Sequence, residues 1–153
     1  MNVLLIASVP DPRHDPAWSA TADAIAIREA VRALAVAAKS AGANVVVPEH
    51  PEIVSLLASI LPVSQLRVIM DRAEPVLTNL RRAFLIGGCD RELALARRVA
   101  TAEIPVIPIA STGGASAELL ANFAHNGDLR VAEVLDLKTN TVYGPLFERY
   151  LSS

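Results

Sequence analysis

Two glycine pairs, Gly87-Gly88 and Gly113-Gly114, each follow an apolar run and precede a helix-forming one. The second pair is led by two hydroxyl residues, Ser111 and Thr112, within the stretch IPVIPIASTGGASAELL over 104–120. Glycine allows close approach of a ligand to the backbone because no side chain stands in the way. A helix start adds unpaired amides and the positive end of the helix dipole, and serine or threonine hydroxyls donate to phosphate oxygens. The same residues also make a capped corner between a strand and a helix. From this loop alone, an anion cradle and a tight corner are both open. Neither pair continues into a P-loop, since no Gly-Lys-Ser/Thr follows, and neither matches the G-x-G-x-x-G dinucleotide fingerprint.

Further polar residues crowd other loops. Asp11, Arg13, His14 and Asp15 lie between prolines in the first loop, as a polar site or as a solvated segment. Arg28 falls early in a long helical pattern, where it either reaches back towards a phosphate or pairs with a surface neighbour. His50, in PEHPE, either bonds a base or ribose or serves the fold. His14, His50 and His125 lack metal-ligand spacing, so no metal site is expected, and no cofactor is called for. Cys89 is the only cysteine. A helix start can lower a thiol pKa, but no base partners it, and packing as a small apolar group is the expectation.

The elements that must position these residues follow from periodicity. Apolar runs at 2–8, 43–47, 66–70, 83–86 and 104–110 are expected as strands, the last interrupted by Pro105 and Pro108, which mark an end or flank without ladder bonds. Residues 9–19 are expected as a proline-stiffened loop. A helix over 21–41 places Ile27, Val31, Leu34, Ala35 and Ala38 on its core face, and Gly42 stops it. Pro51 opens a short helix to about 61, 71–82 is expected as helix or loop, and a helix runs over 90–102. A further helix follows Gly114, and VYGPLFERYL is expected to close the chain by packing Leu146, Phe147 and Tyr150 on the body. Strands alternating with helices predict an α/β fold, a Rossmann-like three-layer sandwich with a mostly parallel sheet. In such a sheet ligands bind beyond the carboxyl ends of the strands, where the loops at 8–18, 48–51, 87–91 and 111–115 lie.

The bulk composition narrows the function classes. The 153 residues are expected to form one domain over 1–153. With 52% hydrophobic but only 4% aromatic residues, the core must be aliphatic. A net charge of −2 argues against a nucleic-acid surface. A single cysteine suits a reducing, cytoplasmic setting. The N-terminus has no basic n-region and is expected to be the first strand, not a signal peptide, and no apolar run of ~18 residues suggests a membrane span.

The order of IREAVRAL, a second strand with an HP turn, FLIGG and PVIPIASTGGAS resembles the SLOG superfamily, the Rossmann-like group named for the Smf and Lonely-Guy proteins. It is most similar to the SLOG domains of bacterial defence systems, which are thought to sense nucleotide-derived signals. The resemblance covers 2–120 and implies a nucleotide, NAD-derived or ADP-ribose-derived ligand. It implies Ser8, Pro10, Asp11, Arg28, His50, Gly87, Gly88, Ser111, Thr112, Gly113 and Gly114 as contacts, in a ligand sensor that self-associates as a homo-oligomer. Two departures stand out. Pro48-Glu49 replaces the glycine pair that sensor-like members tend to carry before the HP turn. The Lonely-Guy motif Pro-Gly-Gly-x-Gly-Thr is reduced to Gly87-Gly88, with Leu93, Ala94 and Leu95 where its glutamate would fall; Glu92, which comes too early in an ungapped match, is the weak candidate for that acid. The alternatives are an enzyme of the Lonely-Guy or deoxyribosyltransferase kind, cleaving an N-glycosidic bond of a nucleotide, and a degenerate domain kept for assembly.

Overall fold

The computed structural model describes residues 1–70, 78–127 and 130–152. Five strands, β1 (Asn2–Ser8), β2 (Asn44–Pro48), β3 (Leu66–Ile69), β4 (Leu80–Gly87) and β5 (Val106–Ile109), form one sheet. Its order is β3-β2-β1-β4-β5, and every pair is parallel. Among the described residues, seven α-helices connect or cover them: α1 (Pro16–Ser19), α2 (Ala24–Ala41), α3 (Pro51–Ala58), α4 (Asp90–Thr101), α5 (Gly114–Asn126), α6 (Val131–Thr139) and α7 (Tyr143–Ser152). This is a Rossmann-like three-layer sandwich.

The central strands are apolar on both faces, as a covered parallel sheet requires. Val3, Leu5, Phe84 and Ile86 pack on the α2, α3 and α7 side. Leu4, Ile6, Ala83 and Leu85 pack on the α4 and α5 side. All five predicted core residues of α2 are fully buried. That helix begins at Ala24 rather than at residue 21, because Asp23 takes the cap and its carboxylate accepts from Ala26 N–H at 3.0 Å. Gly42 ends it with φ +66°.

Other boundaries move for physical reasons. β4 starts at Leu80, three residues before the predicted strand, because the start of β1 offers Asn2 and Val3 as partners for Leu80 and Arg82. Residues 80–82 of the element expected over 71–82 are therefore strand, and 71–77 lie outside the described residues. β5 is an edge strand paired with β4 alone, which is where Pro108 is tolerated. The short α1 interrupts the predicted loop over 9–19, started by Pro16 at its first turn. α6 was not foreseen. It is tied to α7 by the Arg149 guanidinium, which donates to the Asp136 carboxylate. Among the described residues no helix is long and apolar enough to cross a membrane.

The closing helix packs as the sequence suggests. Phe147 meets Phe84 edge-on, with ring centroids 5.3 Å apart and an interplanar angle of 85°, and both rings are fully buried. Such a pair contributes about 0.5–1.5 kcal/mol beyond its buried area. Phe147→Ala is expected to lower unfolding free energy by about 3–5 kcal/mol in a urea titration, whereas Leu135→Ala, at an exposed position, should stay within about 0.5 kcal/mol of the parent.

Candidate functional site

The carboxyl ends of β1, β4 and β5 are fastened together by the two glycine turns. Gly87 and Gly88 have φ +58° and +92°, which a side chain disfavours. Gly88 N–H donates to the Ser8 carbonyl at 3.0 Å, and the Gly88 carbonyl accepts from Ala115 N–H at 3.0 Å. Gly87 N–H donates to Thr112 Oγ1 at 2.9 Å, and that hydroxyl donates to the Ile109 carbonyl at 2.6 Å. The Thr112 carbonyl accepts from Asp23 N–H at the start of α2. A Cβ on Gly113 would lie 2.0 Å from the Thr21 carbonyl oxygen, and one on Gly114 2.6 Å from that of Gly88. Thr112, Gly113 and Gly114 thus act as the corner of the two readings. Thr112 is 0% exposed and its hydroxyl is engaged on both sides.

The remaining predicted residues divide by location. Ser8 closes β1 and is 5% exposed, and its Oγ has no hydrogen-bond partner among the described residues. Pro10 is buried beyond it. Asp11 is exposed and orders its own loop, accepting from Arg13 N–H at 2.8 Å and facing His14. Arg28 ties α2 to the first turn of α3 by pairing with Glu52. Ser111 donates to the Tyr143 hydroxyl at 3.3 Å. With Gly113, Thr21 and Lys138 it borders a groove of about 420 Å³ between α5 and α6.

A second cavity, of about 70 Å³, lies over the carboxyl ends of β1, β2 and β3, beside the place where the strand order reverses. Ile6 and Ala7 at the end of β1, Pro48 of β2 and Ile69 of β3 form its base. One flank of α4 supplies Arg91, Glu92, Leu95 and Arg98, and Glu49 and His50 form the opposite rim. Arg91, Leu95 and Arg98 share a helix face through their i, i+4, i+7 spacing. Of the predicted residues, only His50 and Glu92 line this cavity; Ser8, Gly87 and Gly88 sit beside it along β1 and the β4 turn. Glu49, Ile69, Arg91, Leu95 and Arg98 were missed. The α4 spacing was the available signal for the three on the helix.

The chemistry of the α4 start is restrained. His50 caps α3, its Nδ1 accepting from Ile53 N–H at 3.3 Å, so this nitrogen carries no proton. Glu92 caps α4: its carboxylate accepts from Cys89 N–H at 3.4 Å and from the Cys89 thiol at 3.1 Å. Burial, and then the Glu92 carboxylate, push the Cys89 thiol up to about 11. The helix start does not activate this thiol, because burial disfavours the thiolate and the acid that caps the helix opposes its charge as well. Among the described residues no three His, Cys, Asp or Glu side chains converge to hold a metal ion.

Two outcomes follow. Thr112→Val leaves Gly87 N–H without its acceptor in a buried site and should lower unfolding free energy by about 1–3 kcal/mol, while Thr112→Ser should retain most of the stability; urea titration distinguishes them. Because only the thiolate is nucleophilic, iodoacetamide labelling of Cys89 should be slow at pH 8 and rise about tenfold per pH unit up to pH ~10, with no plateau below that. Glu92→Gln removes the opposing charge, lowers the thiol pKa and should speed labelling at pH 8. A plateau near pH 8–9 in the parent protein would contradict the assignment.

No family model, no curated protein and no solved structure matches this chain.

Proposed function

We propose that the chain binds a nucleotide or an NAD-derived or ADP-ribose-derived small molecule at the carboxyl edge of its sheet and acts as a sensor. The observation that carries this reading is the cavity beside the β1–β4 order reversal, with Arg91 and Arg98 on one side and an apolar base of Ile6, Pro48 and Ile69. In doubly wound sheets this edge is the general position for a ligand. Apolar side chains suit the face of a base, and guanidinium groups suit phosphate oxygens. The resemblance to SLOG domains of defence systems points to the same ligand class, in a cytoplasmic protein that self-associates. A sensing role suits a site in which Glu92, the acid at the start of α4, is engaged by a helix cap.

A second reading, cleavage of an N-glycosidic bond, draws on the presence of Glu92 in the wall of the same cavity. Such chemistry needs a carboxylate at the anomeric carbon. Release of free base from AMP or NAD, lost in Glu92→Gln, would favour it.

The sensing reading is tested by thermal shift with AMP, ADP-ribose, NAD and cyclic ADP-ribose isomers. A binder at one hundred times its Kd should stabilise the fold by ~2.7 kcal/mol. Leu95→Trp, which fills the cavity from α4, should abolish the shift while the apo protein stays folded, and Arg91→Ala should weaken it. No shift with any member of the panel would overturn the reading. Light scattering with and without the binder reads the accompanying change in oligomeric state.

A further inference from the structure

The outer face of α2 carries a pattern that the packing of its own chain does not use. Ile25, Glu29, Arg32 and Val36 are spaced by four, three and four residues, which sets them in one stripe along the helix. That stripe lies opposite the core face of Ile27, Val31, Leu34 and Ala38. Ile25 is 70% exposed and Val36 54%, and Glu29 and Arg32 are exposed between them. Neither of these two charges forms a salt bridge among the described residues.

The stripe is symmetric about its middle. Ile25 and Val36 lie equally far from the point midway between Ala30 and Val31, and so do Glu29 and Arg32. A second copy of α2, turned end for end across a two-fold axis at that point, sets Ile25 against the partner's Val36 and Glu29 against the partner's Arg32. The symmetry makes each contact twice. Four-then-three spacing is that of the seam between two packed helices, and antiparallel helix dipoles oppose one another favourably. A parallel pairing would set Glu29 on Glu29 and Arg32 on Arg32, and like charges disfavour it. We infer that two copies of this chain form a homodimer through the outward face of α2, packed antiparallel. This dimer gives the self-association in the reading above its surface, and it rests on that part of the reading, not on the ligand. The apolar ends of the stripe supply attraction, and the charge pairs set orientation and register. The start of α2 lies at the carboxyl edge, where Asp23 N–H donates to the Thr112 carbonyl, so the two edges fall at opposite ends of the pair. A contact built on one helix is smaller than the ~1,600 Å² of a standard interface, so the dimer is weak and forms at micromolar concentrations.

Sedimentation equilibrium on the whole chain, from tens to hundreds of micromolar, tests this. The parent protein should pass from monomer to dimer as its concentration rises. Glu29→Arg sets like charges together at both contacts and should weaken the dimer about tenfold; Arg32→Glu should do the same. An equimolar mixture of the two variants should dimerise again, because each then meets its opposite charge. Glu118→Arg, the same change of charge at an exposed position on α5, should leave the dimer intact. All three positions are exposed, so far-UV circular dichroism of the variants should match the parent. Self-association that Glu29→Arg leaves unchanged, or that Glu118→Arg weakens equally, overturns the α2 surface while self-association stands. No recovery in the mixture overturns the antiparallel pairing. A parent protein that stays monomeric throughout overturns both the surface and self-association, and leaves ligand binding to be judged by thermal shift alone.

Discussion

The hydrogen bond from Gly88 N–H to the Ser8 carbonyl couples the two strands between which the sheet reverses its order. It exists because Gly87 and Gly88 can turn with positive φ while still in backbone contact with β1. A Cβ on Gly87 would lie 2.8 Å from the Ser8 carbonyl oxygen. The same turn is held from the other side by Thr112 and Ala115. Three strand ends and the starts of α2 and α5 are thereby brought within hydrogen-bond reach of one another. Everything at this edge is positioned relative to that contact.

One consequence is that the hydroxyl-glycine stretch and the anion site need not coincide. The Gly88 carbonyl accepts from Ala115 N–H in the first turn of α5. A carbonyl oxygen, not a ligand, takes that amide of the positive end of α5. The cations near the edge come from a different place, the flank of α4, where Arg91 and Arg98 are seven residues apart. The two glycine turns build the edge, and the helix after the first of them carries the charge.

Much of the fold was legible in local pattern. β1 is an uninterrupted apolar run, the buried face of α2 has helical spacing, and Phe147 and Tyr150 mark an amphipathic tail. What was not legible depends on partners distant in sequence. Leu80 and Arg82 belong to a strand because β1 lies beside them, and nothing local distinguishes them from the residues before. α6 has a weak apolar stripe and is oriented through Asp136 and Arg149, thirteen positions apart. In the site, glycines and hydroxyls drew attention because their types are distinctive. Ile69 did not, and Glu49 stood out only as a departure from the family pattern, since only the register of β2 with β3, which pairs Pro48 with Ile69, brings them together. Arg28 has the side chain for phosphate, but α3 supplies Glu52 as its partner.

The rigidity of the edge also bears on how binding energy would be distributed. A ligand that must order a loop loses affinity to that ordering, whereas a preformed site avoids most of the loss. Here Glu49 is fixed by strand pairing and His50 by a helix cap. Arg91 and Arg98 emerge from a helix whose own start is capped by Glu92. Charged groups on both walls, Arg91, Glu92 and Arg98 on α4 and Glu49 across from them, would hold an asymmetric ligand in one orientation better than in another. Orientation by charge adds more to discrimination than to raw affinity. That is the property a sensor requires, because it must separate related small molecules that share a base and a sugar.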